Sequence, residues 1–144
     1  MEHLETLFPG LRDSGYVITS PMDDRYNCIA WAAHDEARWW WPDDDSHWPD
    51  GAPREETIAA FVVAFGNLGF FSCDDSLIEP GYEKIAIYTS PDGMPTHVAR
   101  QLPSGLWTSK LGQLQDIRHQ LEDLAGSAYG SCAYFLKRER AIAD

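Results

Sequence analysis

The sequence predicts an α+β domain in which N-terminal helices pack on one face of a small antiparallel sheet. Two patterns and a length predict it. Apolar residues recur at helical spacing in the first half, and short alternating segments separated by turns fill the second. The 144 residues match the size served by one hydrophobic core, about 100–150 residues. One domain is therefore expected over residues 1–144, with its core at 26–136.

The elements follow in order. Residues 8–25 are punctuated by Gly, Pro and Asp and read as loop, with one short strand at Tyr16–Thr19. A helix is expected from Asn27 through Arg38, because four alanines favour it and Asn27 can cap the first turn with its side-chain oxygen. That places Cys28 at the first helical position and His34 inside the helix. The run WWWPDDDSHWPDG, Trp39–Gly51, reads as a surface loop with four tryptophans within ten positions. Ile58, Phe61, Val62 and Phe65 then mark a second helix over Arg54–Leu68, its apolar stripe facing the core. Lys84–Thr89, Thr96–Leu102 and Leu106–Leu111 alternate like strands and are joined by Pro-Asp-Gly and Pro-Ser-Gly turns, a meander. Gln115–Leu124 reads as a short helix and Ser131–Lys137 as a final strand.

Composition narrows the function. The net charge is −12, from 11 Lys+Arg against 23 Asp+Glu, a field that repels phosphate backbones, so nucleic acid is not an expected partner. No apolar run approaches the roughly 20 residues of a membrane span, and MEHLETLFPG lacks the basic-then-apolar pattern of a secretory signal. Cys28, Cys73 and Cys132 are odd in number and widely spaced, which argues for a reducing, cytoplasmic setting over a disulfide framework. No C-x-x-C or H-x-x-x-H spacing occurs, so no metal or cofactor is expected.

The chemistry-bearing candidates are Cys28 and His97. A thiol at a helix start lies among unpaired N–H groups that favour its anion and can hold an oxyanion. Alternation puts His97, Ala99 and Gln101 on one strand face, so an imidazole within reach of Cys28 would complete a Cys–His dyad. Ser109 on the next strand is a candidate third member, with Asp116 an alternative. Asn27, Trp31, Trp40, Gln101 and His119 are the candidate binding residues around them.

Asn27-Cys28-Ile29-Ala30-Trp31, His97-Val98-Ala99 and Ser109 occur in an order that resembles papain-like cysteine hydrolases of the compact NlpC/P60 type. The chain is also similar to small bacterial domains that carry Tyr-Asn-Cys with Ala-Trp, a Thr-His strand, Ser-Lys-x-Gly and a downstream His. Here these are Tyr26-Asn27-Cys28, Ala30-Trp31, Thr96-His97, Ser109-Lys110-Leu111-Gly112 and His119. The resemblance implies a papain-like fold and a thiol amidase or peptidase acting on a peptide-like or amide substrate. It departs from the NlpC/P60 pattern at Asn27 and Ile29, which flank the Cys where Asp or Gly and Ser or Gly are usual. Ser109 likewise stands where His, Asn or Gln is usual. The alternative expectation is a non-catalytic acidic module, a regulatory or toxin-neutralising subunit that binds a basic protein.

Overall fold

The computed structural model describes residues 2–12, 14–111, 114–126 and 129–140. Its centre is one seven-stranded sheet, ordered β1-β6-β5-β4-β3-β7-β2, with every neighbouring pair antiparallel. The strands are β1 (Val17–Ser20), β2 (Phe71–Cys73), β3 (Tyr82–Thr89), β4 (Pro95–Gln101), β5 (Trp107–Lys110), β6 (Asp116–His119) and β7 (Ser131–Glu139). The helices are short: α1 (Glu2–Leu7), α2 (Cys28–Ala32) and α3 (Ile58–Gly66). Among the described residues, no helix is long and apolar enough to cross a membrane.

This corrects the expected architecture. The protein is β-rich, and the papain-like arrangement of N-terminal helices on a small sheet is not what forms. The sheet is covered on both faces, so β3 is buried from Glu83 through Thr89. On one face, Ile85, Ile87, Val98 and Leu136 pack against Ile29 and Ala32 of α2, Phe61 and Phe65 of α3, and Trp40 and Trp48. On the other, Ala86, Tyr88, Ala99, Trp107 and Ile117 pack against Leu4, Phe8, Leu11 and Leu124. Each fully buried Phe or Ile in these layers contributes about 1.5–3 kcal/mol.

Two elements differ from expectation for identifiable reasons. Residues 115–124, read as a helix, form β6 and a 3-10 turn at Leu121–Leu124. Helix propensity loses here because β6 bonds to both β5 and β1 and buries Asp116, Ile117 and His119. The first helix stops at Ala32, and His34 adopts φ 64 outside it. The turn that follows closes by Asp35 N–H donating to Ala30 C=O at 2.8 Å, so the chain leaves α2 by a tight left-handed cap. α3 starts at its Thr57 cap, whose hydroxyl accepts from Ala60 N–H, later than the expected Arg54.

The tryptophan-rich segment is partly core. Trp40 and Trp48 are 4% and 2% exposed, and their indole N–H groups donate to Asp35 Oδ2 and Pro53 C=O. Extended backbone at 39–41, bonded to His47 on both sides, alternates the run: Trp40 turns inward while Trp39 and Trp41 stay partly exposed.

Candidate functional site

Asn27 caps α2 as its sequence position predicts. Its Oδ1 accepts from Ala30 N–H and Trp40 N–H, and its Nδ2 donates to Trp40 C=O at 2.6 Å. One side chain thus fixes both the helix start and the tryptophan segment beside it, with Cys28 at the first helical position. Cys28 is 6% exposed. Burial pushes its thiol up to about 11, against hydrogen bonding from the backbone N–H groups of Val98, Ile29 and Cys28, which lowers it. The sulfur therefore meets β4 at the backbone beside His97.

His97 itself belongs to the other side of the sheet. Its register partner is Tyr88, and alternation sets it with Ala99, while Val98 packs in the cluster that contains Cys28. The His97 ring stacks on Tyr129 at 4.1 Å and meets Tyr88 edge-on. No hydrogen bond joins it to Cys28: its Nε2 meets Ser109 and its Nδ1 has no partner.

What the fold does assemble is a buried relay of His97, Ser109 and His119, at 0%, 0% and 2% exposure. Ser109 Oγ lies 2.9 Å from His97 Nε2 and 2.7 Å from His119 Nε2, and His119 Nδ1 lies 2.6 Å from Gln120 C=O. A carbonyl only accepts, so His119 carries its proton on Nδ1 and accepts from Ser109 at Nε2. Ser109 then accepts from His97 Nε2–H. His97 Nδ1 is left as a bare acceptor, and it is one of the buried polar atoms without a partner. Burial, and for His97 the neighbouring His119, hold both imidazoles below 6.5, His97 well below, so the relay is neutral.

Ser109→Ala is expected to leave His119 Nε2 and His97 Nε2–H unpaired in the core. At about 1–3 kcal/mol for each of the two unsatisfied groups, the loss is about 2–6 kcal/mol. Urea unfolding would measure it, and a loss below about 1 kcal/mol would show that the relay is not formed.

The remaining candidates have structural engagements. Trp31 donates to Thr108 Oγ1 at 3.0 Å and lies under the Arg100 guanidinium. Gln101 is buried and donates to Ser76 C=O, with its Oε1 unpaired. Trp40 is core. Asp116 accepts from Thr19 and Tyr26 hydroxyls, away from the imidazoles. Gly112, which ends the Ser-Lys-x-Gly motif, lies outside the described residues. Among the described residues no group of three or more His, Cys, Asp or Glu converges as metal ligands would.

Cys28 borders a pocket of about 320 Å3, lined by Asn27, Cys28, Trp39, Trp41, Thr96 and Tyr129. Its signal was the WWW run itself, in which the outer two tryptophans, not Trp40, border the thiol. Residues 17–137 match a family model described as a domain of unknown function, DUF7689. The chain belongs to the DUF7689 family. That match runs from β1 into β7 and contains Cys28, His97, Ser109 and His119. No curated protein and no solved structure matches the chain.

Proposed function

We propose that this DUF7689 chain is a thiol-dependent hydrolase of amide or related acyl bonds, with Cys28 as nucleophile and His97 as general base. The observation that carries this reading is the uncommitted Nδ1 lone pair of His97, on the residue preceding Val98, whose backbone lies beside the Cys28 sulfur. With a raised thiol and a depressed imidazole, both groups are neutral at pH 7, unlike a thiolate–imidazolium pair. His97 Nδ1 takes the thiol proton as sulfur attacks the carbonyl carbon, then returns it to the leaving amine; water hydrolyses the thioester with the same base. Ser109 and His119 orient the ring from its Nε2 side. Tyr129 stacks on the His97 ring and lines the pocket with Cys28, and this reading requires sulfur and Nδ1 to approach each other at that shared side chain when substrate fills the pocket. Three free cysteines support a reducing, cytoplasmic setting.

The pKa directions give a test. Base-assisted acylation of Cys28 by a neutral aryl ester is expected to be nearly flat from about pH 6 to 9, because His97 stays deprotonated across that range. An unassisted thiol with a pKa of about 11 instead gains tenfold per pH unit there. Mass spectrometry of the acylated cysteine decides: the tenfold rise, or no acylation at Cys28, removes His97 as base.

A second reading, the non-catalytic acidic module, is favoured by the raised thiol and the sealed relay. In it, Cys28, His97, Ser109 and His119 are core, and the −12 charge recruits a basic protein. Absence of Cys28 acylation at every pH in that series is its expected result.

A further inference from the structure

The pocket at Cys28 has a composition that restricts what it can receive. Among the described residues no charged side chain lines it. Asn27 and Thr96 are already engaged: Asn27 bonds Ala30 and Trp40, and the Thr96 hydroxyl bonds the carbonyls of Tyr88 and Tyr129. A carboxylate or ammonium placed there would be desolvated without a counter-charge. What remains is aromatic surface, from Trp39, Trp41 and Tyr129, around a buried thiol. The volume of about 320 Å3 lies at the small end of ligand pockets, which span about 300–1,000 Å3.

Trp39 and Trp41 are two positions apart on extended backbone, so both leave the same side of the segment. Trp41 is braced edge-on by Phe61 at 6.0 Å, and Trp40 between them is anchored in the core. The two indoles thus stand on a fixed support, which lowers the ordering cost of stacking a ring against them. We propose that this pocket is an acyl subsite for an uncharged aromatic group, so that the substrate is a neutral aryl-substituted amide or ester whose carbonyl is delivered to Cys28. The assignment of chemistry rests on the hydrolase reading; the ring preference does not.

Two measurements separate the two. Binding is followed by NMR of the indole N–H signals in the full-chain Cys28→Ala protein, with 2-phenylacetamide, acetamide, benzoate and benzylammonium as probes. 2-Phenylacetamide is expected to bind about tenfold more tightly than each of the others, and Trp39→Ala or Trp41→Ala to erase about that factor. Trp39→Ala carries the test if loss of the Trp41–Phe61 contact unfolds the second variant. Equal binding of all four probes, or aromatic binding indifferent to Trp39→Ala, overturns the subsite. Turnover of 4-nitrophenyl phenylacetate and 4-nitrophenyl acetate by the unaltered protein is read separately. Selective amide binding with no turnover leaves the subsite standing and removes the hydrolase. Turnover of both esters at equal kcat/KM overturns the ring preference and leaves the hydrolase.

Discussion

Cys28→Ala is expected to reduce turnover of a neutral aryl ester by at least about a thousandfold, since no other group in the pocket can form the acyl intermediate. The fold should tolerate the change. Alanine suits the first helical position, and the Asn27 cap does not involve the thiol. Cys73 and Cys132 supply no substitute, because neither lines the pocket at Cys28. Turnover by Cys28→Ala within about tenfold of the parent, in protein with an unchanged circular dichroism spectrum, would remove Cys28 as nucleophile. His97→Gln extends the experiment to the base. It keeps a buried polar side chain opposite Ser109 but provides no imidazole, so kcat should fall while aromatic amide binding persists.

A large stability effect is also expected at Glu83. Its carboxylate is 2% exposed on β3, with His34 Nε2 at 2.7 Å, Arg138 Nη2 at 3.6 Å and Arg140 Nη1 at 4.0 Å. Arg100 donates to His34 Nδ1, so the ring presents Nε2–H to Glu83. Burial alone would raise this carboxyl. The His34 hydrogen bond and the charges of Arg138 and Arg100 outweigh it and hold the group below 4.5. Glu83→Ala leaves three arginines around an uncompensated site. Breaking a buried pair costs about 3–5 kcal/mol, and these partners are partly exposed and can recover water, so about 3 kcal/mol is expected. The sign with pH follows from the lowered value. The contribution is present above the ordinary 4.5 and is lost as pH falls through the folded value. Urea midpoints of the parent and Glu83→Gln proteins should therefore converge between pH 7 and pH 3. A gap that stays constant over that range would show that Glu83 is not ionised in the fold.

Local chemistry made several features legible. Asn27 followed by an alanine-rich run marks a helix start, and that start is found at Cys28. Alternation with Pro-Asp-Gly and Pro-Ser-Gly turns located β3, β4 and β5, each with boundaries within two residues of those expected. The short β2 was not visible, because Phe71–Cys73 is exposed or half-buried and has little alternation to detect. The Glu83 cluster was equally hidden. It joins β3 to β7 and to the end of α2 across residues 34 to 140, and nothing in the spacing of one carboxylate predicts that convergence.

The sequence by itself determined the local conformations: where α2 begins, where the meander turns, and that His97, Ala99 and Gln101 share a face. Only the tertiary structure decided which partners those faces meet. A capping amide or a turn glycine acts within a few residues, whereas strand pairing and burial join residues far apart in sequence. Pairing of β6 with β5 and β1 turned a helix-favouring segment into a strand and carried His119 to Ser109. Packing on both sides of the sheet then assigned the Cys28 sulfur and the His97 ring to opposite layers, which meet at the backbone of β4.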